Sequence, residues 1–159
     1  SGQVVVSAVT SNSVSDDEAM VYMMEALEGV SLGDILGNGA YDTTDCREAI
    51  HDRGGRPVIP PDKNAKIQKR KPFPCLQARD EAIRRIQELG DEGRALWKQE
   101  VGYHRRSRVE TLTFRIKTIL GDRLASRRES TQATEVVIKL DVLNRMTELG
   151  TPKSYKVTC

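Results

Sequence analysis

Apolar and polar positions change rhythm along the chain, and each change predicts an element. Gln3–Val9 reads as a strand, because Val4, Val5 and Val6 follow one another and β-branched residues dominate. After Ser15 the period lengthens: Met20, Met23, Met24 and Leu27 fall at i, i+3, i+4 and i+7, which is one face of a helix. Ser15 with Glu18 makes a capping box at its start, and Gly29 supplies its stop. The methionine stripe reads as that helix's buried face, with a pliable binding surface as the alternative. Ile35-Leu36 is then a strand end opening into a loop at Gly37-Asn38-Gly39-Ala40-Tyr41-Asp42. Asp45 and Glu48 form a second capping pair, ahead of a helix reaching Gly54-Gly55. Arg56–Ile59 is a further short strand, stopped by Pro60-Pro61. The order β-α-β-α-β predicts an α/β fold with parallel neighbours.

The rest of the chain has another character. Residues 62–78 form a basic loop, with Lys63, Lys66, Lys69, Arg70 and Lys71 among Pro, Asn and Gln. It either tracks a phosphate backbone or is simply solvated. Residues 79–150 are helical. Asp80 is the expected cap of a helix carrying Ala82, Ile83, Ile86 and Leu89 and ending at Gly90. A longer helix is expected from about Tyr103 to about Leu124, and a last one from about Thr131 to about Leu149. Val136, Val137, Leu140, Leu143 and Met146 make the packing stripe of the last helix. These three portions, with 1–61 as the sheet portion, are parts of one domain, and no internal repeat is present.

Composition narrows the class. Of 159 residues, 38% are hydrophobic and 30% charged, which fits a globular chain and not a disordered one. No apolar run approaches the roughly 18 residues of a membrane span, so no membrane partner is expected. Cys46, Cys75 and Cys159 are odd in number, far apart and without C-x-x-C spacing. A disulfide scaffold and a zinc ribbon are both disfavoured, and a reducing cytoplasm fits best. The net charge of +2 conceals a split: residues 1–55 hold ten acids and two bases, the remainder 13 acids and 23 bases. A basic second half suggests a polyanionic partner, against the alternative of two solvated faces. The chain opens on Ser1, so a fragment, a processed product or an added residue are open alternatives.

The chemistry concentrates between Trp97 and Lys117. With Tyr103 at 0° on a helix, Arg106 falls at about 300°, Glu110 at about 340° and Lys117 at about 320°. Val109, Leu112, Ile116 and Ile119 occupy a separate stripe. A carboxylate there can hold Mg²⁺, which polarises a scissile phosphate, while Arg and Lys bind the flanking phosphate oxygens. The plainer alternative is that Arg106–Glu110 is an ordinary i, i+4 pair. His51 and His104 are too far apart in sequence to suggest a ligand pair, and no P-loop or catalytic triad is present. Trp97 is expected in the core.

These four residues fit Y-x₂-R-x₃-E-x₆-K without a gap. That pattern resembles the signature of bacterial insertion-sequence transposases of the DDE type, in the groups usually numbered four and five. GAYDT at 39–43, VIPPDKNA at 58–65, LWK at 96–98, GYHRRSRVET at 102–111 and LNRMTELGTPKSY at 143–155 resemble the same family. The resemblance covers nearly the whole chain. It implies an RNase H-like fold, a mixed sheet with flanking helices, in which three acids bind two divalent metals (Mg²⁺ or Mn²⁺). Those metals catalyse hydrolysis at transposon ends and strand transfer into target DNA. By position Glu110 is the third acid and metal ligand, and Tyr103, Arg106 and Lys117 are the accessory residues handling DNA. Arg105 and Arg108 join them as expected DNA contacts.

The family's second acid lies in D-x-(G/A)-(Y/F), where this chain reads Asn38-Gly39-Ala40-Tyr41. Asn offers a carbonyl oxygen but no negative charge, so a rate loss of at least roughly 10²–10³ is expected, by comparison with removing one preorganised group. Asp42 is a possible substitute. Gln3–Val9 resembles the family's third strand, which leaves the first two strands, and the first acid, unassigned. The expectation is a truncated catalytic portion with exposed sheet edges that self-associates, binds transposon inverted-repeat ends and target DNA, and lies at the bacterial nucleoid. The alternative is a non-catalytic DNA-binding or regulatory truncated transposase.

Overall fold

A computed structural model describes residues 2–11, 13–69 and 73–150. Arg70 and Lys71 of the basic loop, and residues 151–155 of the last family-like segment, lie outside the described residues. Two compact units are formed, Thr10–Ser107 and Ser1–Val9 with Arg108–Cys159.

In the unit Thr10–Ser107, helix α1 spans Asp16–Ala26, and the Ser15 amide donates to Glu18 Oε2 at 3.0 Å, as the capping pair predicts. Met20, Met24 and Leu27 are buried, so the stripe is a packing face, laid against helix α2, Thr44–Asp52. The cap of α2 is Thr43 and not Asp45: the Thr43 hydroxyl accepts from the Cys46 amide at 3.3 Å, which starts the helix earlier than expected. Strands β1, Asp34–Leu36, and β2, Arg56–Val58, flank α2 and pair in parallel, with Ile35 opposite Pro57. That is the crossover a parallel pair requires.

A 3₁₀ turn at Pro74–Leu76 runs directly into helix α3, Gln77–Glu88. Asp80 is therefore inside α3 and not its cap; it is 4% exposed and accepts from Gln68 Nε2 at 3.1 Å. Helix α4, Gly93–Glu100, carries Trp97 into a core with Val58 and Ala82, against which Leu36, Ile86, Val101 and Tyr103 pack.

The expected strand at Gln3–Val9 is absent, because no neighbouring strand among the described residues meets it. The pairing groups of Val4 are taken by a side chain of the same unit. Asn144 Oδ1 accepts from the Val4 amide and Asn144 Nδ2 donates to the Val4 carbonyl, both at 2.7 Å. Among the described residues the protein is thus mostly helical, with a two-stranded parallel sheet.

The long helix expected from Tyr103 is divided into a 3₁₀ turn, Tyr103–Arg106, and helix α5, Ser107–Leu120. Helix α6 spans Glu129–Leu149. On α6 the buried line is narrower than the stripe suggested: Leu143 is fully buried, but Val137 is 56% and Met146 36% exposed. At 100° per residue Val137 and Met146 lie at the flanks of the Val136–Leu140–Leu143 line, beyond what this unit covers. On α5, likewise, Val109 and Ile119 are exposed. No helix among the described residues is long and apolar enough to cross a membrane.

Candidate functional site

Asn38 sits where β1 gives way to a 3₁₀ turn, Gly39–Tyr41. Its Oδ1 accepts from the Ala40 amide at 2.9 Å, so the side chain caps the turn it precedes. The loop is fixed on three sides. Gly37 is placed where a Cβ would lie 3.0 Å from the Tyr41 ring and 3.2 Å from Ile59, so only glycine fits without displacement. The Tyr103 hydroxyl donates to the Gly37 carbonyl at 3.1 Å. Asp42, at the far end, accepts from Arg47 Nε at 2.8 Å, from Arg79 Nε at 3.3 Å and from the Asp62 amide at 2.6 Å.

Asp42 is consequently a structural group. Its side chain is 2% exposed and that of Arg47 is 1%, and Arg47 also donates to the Ile59 carbonyl at 3.0 Å. Both carboxylate oxygens are occupied by donors, which leaves Asp42 poorly suited to the metal-binding role that the sequence offered it as a substitute. The sequence held no clear sign of this cluster, because Asp42 and Arg79 meet only through the fold.

Tyr103 and Arg105 also have partners in this unit. The Tyr103 ring packs against the core, with Lys98 Nζ 5.1 Å from its centroid. Arg105 Nη2 bonds Asp34 Oδ2 at 2.6 Å, and Arg56, opposite Asp34 in the sheet register, bonds the other oxygen at 2.8 Å. These two guanidinium groups, Arg56 before Arg105, hold the Asp34 carboxyl down at about 2. The pair stays partly open to solvent, with the Arg105 side chain 42% exposed. In a 3₁₀ turn residues three apart eclipse, so Tyr103 and Arg106 stand on one side of theirs.

Glu110 and Lys117 lie on α5, both exposed, seven residues and two turns apart on one face. Arg108, two residues before Glu110, points to roughly the opposite side of that helix and is also exposed. The sequence-derived set is therefore divided: Asn38, Tyr103, Arg105 and Arg106 belong to one unit, Arg108, Glu110 and Lys117 to the other. The single arc counted from Tyr103 does not run along one α-helix.

Among the described residues no group of three or more His, Cys, Asp or Glu side chains is placed to hold a metal ion. Asn38 is neutral and already accepts a hydrogen bond. The donor set of these residues thus does not fit a pair of divalent cations, although divalent metals serve this kind of chemistry generally.

No solved structure matches the chain. The sequence model of the family described as the transposase DDE domain matches residues 1–145, more than nine-tenths of the chain, and the protein belongs to that family.

Proposed function

We propose that this chain is an RNase H-like transposase catalytic domain sequence that grips transposon-end DNA but is impaired in cutting it. The family's substrate is DNA. The observation that carries the reading is the unbroken Y-x₂-R-x₃-E-x₆-K series within the matched span. Glu110 and Lys117, exposed on one face of α5, lend it support. Glu110 is the acid assigned to the reaction. Arg106, Arg108 and Lys117 are assigned to the phosphate backbone, where charge-assisted hydrogen bonds position DNA without reading its sequence. Arg105 joins them by exchanging Asp34 for a phosphate, and Tyr103 holds the Gly37 carbonyl and with it the loop of Asn38.

Impairment follows from Asn38, which supplies no charge where the family pattern has an acid. It follows equally from the donor set, which does not support a pair of cations at the scissile phosphate. Self-association belongs to the same reading: Val109, Phe114, Ile138 and Leu149 are 59%, 68%, 58% and 75% exposed, apolar side chains on α5 and α6 that contact with a second copy would cover. A non-catalytic, regulatory DNA-binding role is the second reading, favoured by the Asn38–Ala40 hydrogen bond that commits this side chain to its own turn.

The test is nicking of a duplex bearing the cognate inverted repeat, with Mg²⁺ or Mn²⁺, alongside binding to the same duplex. Binding is expected to weaken with Arg106→Ala, to survive Glu110→Gln and to fall steeply with salt. Efficient nicking by the unaltered chain, abolished by Glu110→Gln, would refute the impairment. Binding indifferent to Arg106→Ala and Lys117→Ala would refute the assignment of the signature residues to DNA.

A further inference from the structure

Helix α5 ends at Leu120, and Gly121, with φ +85°, turns the chain out of it. The connection 121–128 that follows has no helix or strand of its own, yet it is tied down by side chains of α6. Glu135 Oε1 accepts from the Ala125 amide at 3.0 Å and Glu135 Oε2 from the Ser126 amide at 2.9 Å. Gln132 Nε2 donates to the Ser126 carbonyl at 3.1 Å. Lys139 Nζ donates to the Arg123 carbonyl at 2.9 Å and pairs with Glu135 at 3.2 Å. The Ser126 and Ala125 amides hold the Glu135 carboxyl down at about 2, so the clamp is charged at neutral pH.

Apart from the Lys139–Glu135 pair within α6, each of these bonds is made to the backbone of the connection, and none uses the side chains of Arg123, Arg127 or Arg128. All three arginines are exposed. Arg123 and Lys117 also line one cleft, together with the apolar Ile116, Leu124 and Leu140. Asp122 and Glu129 flank the arginines, so the surface is not a uniform field of positive charge. It suits individual guanidinium–phosphate bonds more than diffuse attraction. A connection already ordered by its backbone also loses less conformational freedom on binding than a free loop.

We propose that the connection 121–128 is a second grip on the phosphate backbone of DNA, with Arg123, Arg127 and Arg128 as its contacts and Glu135 as the residue that positions them. It rests on the reading of the chain as a DNA-binding transposase, and it extends the assigned contacts beyond Lys117 to a segment outside the signature.

The test is fluorescence anisotropy of the whole chain on a labelled duplex across a salt series. Each phosphate contact adds about 0.9 to the slope of log K against log salt. Replacing Arg123, Arg127 and Arg128 together by Gln is expected to flatten that slope by about 2–3, and Arg127→Gln alone by about 1. Glu135→Gln separates positioning from charge. It adds one positive charge overall, so simple electrostatics tightens binding, whereas loss of the clamp weakens it; weaker binding is expected. An unchanged slope in both arginine variants, with Arg106→Ala still weakening binding, would overturn the second grip and leave the broader reading standing. Tighter binding by Glu135→Gln would overturn the positioning role. No duplex binding by the unaltered chain would overturn the broader reading and this proposal with it.

Discussion

Asp42→Ala is the substitution that most directly probes how the Asn38 loop is held. It removes the acceptor of a side chain that is 1% exposed, and leaves the Arg47 guanidinium with the Ile59 carbonyl as its remaining partner. Removing one member of a buried ion pair costs about 3–5 kcal/mol, because the surviving charge stays desolvated. Arg79 adds little to that figure, since its side chain is 20% exposed and can turn to water. For a unit of this size each kcal/mol lowers Tm by about 4–8 °C, so a fall of more than about 12 °C is expected. Urea unfolding followed by fluorescence of Trp97, the sole tryptophan and 6% exposed in this unit's core, is the assay. With an m-value of about 1–3 kcal/mol/M, the midpoint should fall by about 1 M or more. Adding Arg47→Met removes the stranded charge, and the double variant should be more stable than Asp42→Ala alone. A loss under about 1 kcal/mol, or a double variant no better than the single, would refute the assignment of Asp42 to a buried structural pair.

Three further outcomes follow from the same unit. Gly37→Ala should destabilise by about 1–3 kcal/mol, since the new methyl meets the Tyr41 ring and Ile59; an unchanged denaturation midpoint would contradict that crowding. Tyr103→Phe keeps the ring in the core and loses only the bond to the Gly37 carbonyl, so about 0.5–1.5 kcal/mol should be lost in the same unfolding assay. Asp34, held at about 2 against an ordinary 3.8, contributes stability that is present above about 3.8 and lost as pH falls from there through about 2. In a carboxyl NMR titration Arg105→Ala should raise the Asp34 value while Arg56 keeps it below the ordinary one. DNA binding that draws Arg105 away should raise it too.

Sequence alone determined the family and most of the helices. The signature spacing, the Met20–Met24–Leu27 face and the Ser15–Glu18 capping pair are local patterns, set by residues within a few turns of one another, and each is visible without a fold. The tertiary structure decided what local patterns cannot. Gln3–Val9 has the composition of a strand, but a strand requires a neighbour, and the Asn144 amide takes the Val4 backbone groups instead. Asp80 resembles a cap, yet the turn at Pro74–Leu76 starts helical geometry earlier and draws it inside α3. Asp42, a possible metal acid by sequence, becomes the partner of Arg47 and Arg79 because α2 and α3 bring their side chains to it. Glu135, unremarkable in sequence, holds a loop nine and ten residues before it. The physical distinction is range: periodicity and caps are fixed by neighbours along the chain, whereas a carboxylate's role depends on which donors the fold delivers to it.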